Sequence, residues 1–226
     1  MAAPPAGHRT GTGLRSTGTS VKATYTDGAR RLASQSISGL ARTRVTPSML
    51  TLAGVTLCAL ASVLVYFEYK NEWFFFWAGS IVFALGSILD ILDGALARAG
   101  GKATVFGAFL DSTLDRVGEA FMLGAISVAF VRDGNETAFL FTFAAMVASF
   151  LVSYTRSKAE TLGLKGDVGI GSRAERVVVI CLGLAVAPWG GLQWAIYLLA
   201  ATAWVTVGQR IWSVRKQLEK RAQLDV

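Results

Sequence analysis

Four aspartates carry the chemistry that this chain can offer: Asp90, Asp93, Asp111 and Asp115, set in a stretch otherwise apolar and small enough to lie inside a bilayer. On a helix, Asp90 and Asp93 are three residues apart and Asp111 and Asp115 four apart, so each pair projects from one face. Two such helices can aim both pairs at one point. Carboxylates at membrane depth are costly, and they mark a functional path or a partner. A cation resolves the cost, and an all-carboxylate donor set suits Mg²⁺ or Mn²⁺ rather than zinc, as one ion or two. Pairing with Arg98 and Arg116 is the alternative for any single aspartate, and an ion-binding, non-catalytic transporter is the alternative for the set. Gly94, Ala95, Ala97, Gly100, Gly101, Ala103, Gly107 and Ala108 remove bulk around the carboxylates, so helices or a flat ligand can approach closely. Other chemistries are poorly supplied. His8 is the one histidine and stands in a polar tail, which excludes a histidine metal site or triad. Cys58 and Cys181 each fall inside an apolar run, as buried thiols rather than a disulfide framework.

The elements that must position these groups follow from composition. Hydrophobic residues make up 53% of the 226 and charged ones only 16%, well below the roughly one quarter of soluble domains. Several runs approach the roughly 20 apolar residues that cross a hydrocarbon core, so the expected fold is an all-α integral membrane protein, a bundle of six transmembrane helices. Residues 1–25 are expected to be a disordered tail, rich in Gly, Ala, Pro, Ser and Thr. Residues 26–45 read as an amphipathic helix on the membrane surface, Ala29, Leu32, Ala33, Ile37, Leu40 and Ala41 alternating with Arg30, Arg31, Arg42 and Arg44 at helical spacing. A basic linker is the alternative for that segment. The six-helix transmembrane domain is expected over 46–215 and a C-terminal tail over 216–226. Spans are expected at Met49–Tyr69, from Trp73 through the first aspartate pair, Val105–Val131, Thr137–Ala159, a fifth starting near Arg173, and Leu192–Trp212. Of the 22 basic residues, Lys70 and Arg132 fall between spans on the far side and Arg116 within a helix; the rest lie on the side of the N-terminus. That asymmetry puts both termini and the aspartates on the cytoplasmic face of the cell membrane. The net charge of +7 therefore points to anionic lipid and phosphorylated substrates, not to nucleic acid.

The spacing Asp90-x-x-Asp93-Gly94-x-x-Ala97-Arg98, eight residues, then Gly107-x-x-x-Asp111-x-x-x-Asp115 resembles the complete signature of the CDP-alcohol phosphotransferases. The resemblance implies that the four aspartates bind a pair of divalent metals holding the pyrophosphate of a CDP-linked lipid, and that Asp115 is the general base. It also implies that Thr46, Pro47, Ser48, Gly94, Arg98 and Thr104 line the nucleotide pocket, with Ser48 standing where relatives often carry Asn or Asp. Glu119 extends the Asp111 and Asp115 stripe by one turn, as a further functional acid or a carboxylate paired with an arginine.

Arg156, Lys158, Arg173 and Arg176 make a cationic cluster after the fourth span, joined by Arg210 near the end of the last. Here the chain is similar to the phosphatidylinositol phosphate synthases of actinobacteria, from about residue 46 to 210. That similarity implies CDP-diacylglycerol as donor, inositol 1-phosphate as acceptor, and a homodimer. It implies an acceptor-phosphate pocket of Ser153, Arg156, Lys158, Arg176 and Arg210, with Arg156 and Lys158 exchanging the usual Lys and Arg. A phosphatidylglycerophosphate synthase using glycerol 3-phosphate is the alternative, because the same cations bind either phosphate.

Overall fold

The computed structural model describes residues 46–99 and 104–224, and the N-terminal tail and amphipathic helix expected before Thr46 lie outside them. The described residues form α1 (Pro47–Tyr66), α2 (Glu72–Ala99), α3 (Val105–Arg132), α4 (Glu136–Thr161), α5 (Arg173–Ala185) and α6 (Leu192–Leu224), with short 3₁₀ turns at Glu68–Lys70 and Ala187–Trp189. The protein is all-helical.

Local sequence chemistry sets each start. Thr46 caps α1, its hydroxyl accepting from Met49 N at 3.3 Å, and Pro47 follows at a position where no backbone donor is needed. Thr104 caps α3 through Gly107 N at 2.9 Å, and Asn135 caps α4 through Ala138 N at 3.0 Å. Ser172 and Glu175 form a reciprocal capping box that fixes the start of α5 at Arg173. Gly190 ends the second 3₁₀ turn at φ 74, a left-handed conformation that favours glycine, and releases the chain into α6.

Segments 47–70, 72–96 and 136–161 are long and apolar enough to cross a membrane. α3 is interrupted by its own acids, and α5 has 13 residues, about 20 Å at 1.5 Å per residue. α6 has 33 residues and continues unbroken to Leu224, so residues 216–224 of the expected tail are helical.

The principal helix contacts close a ring in which α1 packs on α2, α2 on α5, α5 on α6, α6 on α4, α4 on α3 and α3 back on α1. Phe83, Met122, Leu123, Ile126, Ile180, Leu184, Ile196 and Leu199 fill its interior. Large apolar side chains such as Phe74, Ile81, Leu140 and Trp194 face outward, as lipid contact requires. Glycines set the closest crossing: a Cβ on Gly86 would stand 2.9 Å from the Gly54 carbonyl, and one on Gly54 3.6 Å from Asp90 N. The α1–α2 contact therefore seats the first aspartate against the backbone of α1. At the opposite end, Arg132 stacks over Tyr66 and Tyr69 and pairs with buried Glu68 at 3.0 Å, tying α3 to the end of α1.

Candidate active site

α2 and α3 bring three of the four aspartates together. Asp90, Asp93 and Asp111 each offer a carboxylate oxygen, and the three oxygens lie within 4.8 Å of one another. Asp93 is buried, and the single hydroxyl proton of Thr51 on α1 is within reach of its carboxylate and of the Pro47 carbonyl at 3.1 Å, the carboxylate being the closer acceptor. The donor set is all oxygen and its outer partner fixes one carboxylate, the arrangement that hard divalent cations take. Asp115 stands apart from the trio. Arg173, the first residue of α5, reaches between them, with its guanidinium on Asp90 and 2.7 Å from Asp115 Oδ1.

Beyond Asp111 and Asp115 opens a cavity of about 610 Å³, which those two acids share with Arg116, Glu119, Ser153, Arg156, Arg173, Arg176 and Arg210. Two of its arginines are rigid. Arg176 is 3% exposed and Glu119 7%. Nε and Nη2 of Arg176 donate to the two Glu119 oxygens at 2.7 and 2.8 Å, and Nη1 donates to the Gly171 carbonyl at 2.9 Å. Three of its five donors are thereby committed, which leaves two for a ligand. Arg210 donates to the Val168 carbonyl at 2.9 Å and to that of Val152. Arg156 is half exposed by comparison, in an i,i+4 pair with Glu160 at 2.9 Å. A cavity that joins the α3 carboxylates to Arg156, Arg176 and Arg210 suits a ligand with phosphate between metal and arginine.

Sequence reasoning placed Ser153, Arg156, Arg176 and Arg210 on this cavity, and all four line it. Lys158 does not: it is exposed and off the cavity wall. Thr46, Pro47, Ser48, Gly94 and Thr104 also lie off that wall, the two threonines serving as helix caps. The side chain of Arg98 is outside the described residues. Glu119 is the arginine-paired carboxylate of the two roles open to it. Two contributors went unassigned in the sequence. Thr51 gave a signal as a hydroxyl one turn inside an apolar helix, and Arg173 gave one only as part of a basic cluster.

The CDP-alcohol phosphatidyltransferase family model matches residues 44–219, and the chain belongs to that family of enzymes. It is 37% identical over 182 residues to the archaetidylinositol phosphate synthase of Pyrococcus horikoshii, covering 80% of this chain and 89% of that one. To the phosphatidylinositol phosphate synthase of Mycobacteroides abscessus it is 36% identical over 183 residues, covering 79% and 81%. Its fold is similar to that of the Mycobacterium tuberculosis phosphatidylinositol phosphate synthase solved with CDP-DAG bound, at a TM-score of 0.71 and 28% identity over 81% of this chain and 94% of that one. The same mycobacterial enzyme has been solved with manganese and citrate, with a TM-score of 0.70 to this chain. Membership of a family of enzymes sets aside the transporter alternative.

Proposed function

We propose that this protein transfers the phosphatidyl group of CDP-diacylglycerol to inositol 1-phosphate, releasing CMP and forming phosphatidylinositol phosphate. The observation that carries the reading is the cavity in which Asp111 and Asp115 face Arg156, Arg176 and Arg210. The names of the relatives support it, since the archaeal and bacterial synthases differ in their lipid but share inositol phosphate.

Asp90, Asp93 and Asp111, joined by Asp115, would hold Mg²⁺ or Mn²⁺, two ions by family resemblance, which would bind the donor pyrophosphate and offset charge as the bond to CMP breaks. The acceptor's own phosphate lies against Arg210, Arg156 and the two uncommitted donors of Arg176, with Ser153 beside them. Glu119 neutralises Arg176 and fixes its plane, so orientation comes from Arg176 and much of the attraction from Arg210 and Arg156. This anchoring holds one inositol hydroxyl toward the phosphorus that carries the diacylglycerol. The hydroxyl oxygen forms the new P–O bond, the bond to the CMP oxygen breaks, and Asp115 accepts the hydroxyl proton. Arg173, 2.7 Å from Asp115 Oδ1, holds that carboxylate in place for the task. Thr46, Pro47, Ser48, Gly94, Arg98 and Thr104 serve the nucleotide, on the resemblance alone, and Lys158 contributes charge at a distance. All six helices cross the membrane, with both termini and the cavity on the cytoplasmic side, and the working form is a homodimer.

Purified protein given CDP-diacylglycerol, Mg²⁺ and labelled inositol 1-phosphate is expected to release CMP and incorporate label into lipid. Incorporation from glycerol 3-phosphate alone would overturn the inositol assignment and identify a phosphatidylglycerophosphate synthase.

A further inference from the structure

α6 carries a second cationic feature, outside the catalytic cavity. With α6 crossing the membrane as proposed above, the roughly 20 residues counted from Leu192 that cross a hydrocarbon core end at about Ile211, which puts Trp212 where the helix leaves the apolar layer. An aromatic ring at that depth is suited to the boundary between chains and headgroups. Trp212, Lys216 and Lys220 recur every four residues and form one stripe. Lys216 Nζ lies 3.8 Å from the centroid of the Trp212 ring. The stripe faces Val168 and Ile170 across a groove of about 640 Å³.

The groove has fixed walls. Gln217 accepts from Lys165 N and donates to the Lys165 carbonyl, both at 2.9 Å. Arg221 donates to the carbonyls of Leu162 and Gly163. Gly169 has φ 122, and a Cβ there would stand 2.5 Å from Thr206 Cγ2, so the loop backbone lies directly on α6. Among the described residues no acid lines the groove, and Glu219 on the same helix pairs with Arg215 at 2.7 Å. Apolar side chains at the boundary with two ammonium groups one and two turns beyond match a phospholipid: chains and glycerol against Trp212 and Ile170, phosphate at the lysines. A zwitterionic headgroup brings a cation of its own against those lysines; an anionic one does not.

We propose that this groove is a binding site for an anionic phospholipid of the surrounding bilayer, separate from the catalytic cavity on the other side of Gly169. The site does not depend on which acceptor the enzyme uses. With each lysine near a charged surface contributing as juxtamembrane cations do, enrichment of an anionic over a zwitterionic lipid is expected on the order of tenfold or more.

The test uses the full chain in phosphatidylcholine nanodiscs containing equal fractions of brominated phosphatidylglycerol or brominated phosphatidylcholine. Emission of Trp212 is taken as the difference between the parent chain and W212F. Stronger quenching by the brominated phosphatidylglycerol, lost in K216Q/K220Q, supports the site. Equal quenching by both lipids overturns it, as does a phosphatidylglycerol preference that survives in K216Q/K220Q. Both lysines are exposed, and helix content of the double variant is checked by circular dichroism.

Discussion

Removing Glu119 tests whether the cavity is built around a buried ion pair. In E119A the Arg176 guanidinium, 3% exposed and held by two bonds to that carboxylate, becomes an uncompensated charge. Breaking a buried pair from one side costs about 3–5 kcal/mol. At about 2–4 °C per kcal/mol for a chain of this size, the unfolding midpoint should fall by roughly 6–20 °C. Replacing both partners in E119L/R176L removes the orphaned charge and should recover most of that loss, because apolar pairs of similar volume replace buried ion pairs at little cost. The assay is thermal unfolding by circular dichroism in one detergent for parent, single and double variants. The milder E119Q should fold and raise the KM for inositol 1-phosphate about tenfold, a loss near 1.4 kcal/mol, as Arg176 loses its fixed plane. Equal midpoints for E119A and E119L/R176L, with an unchanged KM in E119Q, would refute both the energetic and the orienting role.

Three further expectations concern the carboxylates and their support. D115N should abolish CMP release while retaining binding of a CDP-lipid, measured by equilibrium binding; near-normal turnover would remove the base assignment. T51V deletes the hydroxyl that donates to Asp93 and should weaken Mn²⁺ binding about 10- to 100-fold, as loss of an outer-shell partner does, read by Mn²⁺ paramagnetic resonance. G86A pushes a methyl to 2.9 Å from the Gly54 carbonyl and should cost about 1–3 kcal/mol by overpacking, measured as a lowered unfolding midpoint.

Helix starts were the most legible part of the fold, because they rest on local chemistry. α5 starts at the expected Arg173, and α1 starts at Pro47, two residues before the expected Met49, because Thr46 serves as its cap. The end of α6 was not legible from apolarity, which marks where a helix leaves the membrane rather than where it stops. Its last turns persist through pairs such as Arg215 with Glu219. At the site, helical periodicity puts Asp90 and Asp93 on one face of α2, and the packing of α2 and α3 on α1 brings Asp111 to them. The contact of Arg173 with Asp90 and Asp115 arrives through the packing of α5 on α2, a long-range contact that no local pattern encodes. Lys158 shows the converse. Its charge read like that of Arg156, but helix rotation carries it off the cavity wall.

The most direct test of the whole account is a competition. The purified enzyme receives CDP-diacylglycerol and Mg²⁺ with equal concentrations of inositol 1-phosphate and glycerol 3-phosphate, and the lipid product is identified by mass spectrometry. A product carrying inositol phosphate, lost in R210Q, is the predicted result. A product carrying glycerol phosphate, or an inositol product undiminished in R210Q, would contradict it.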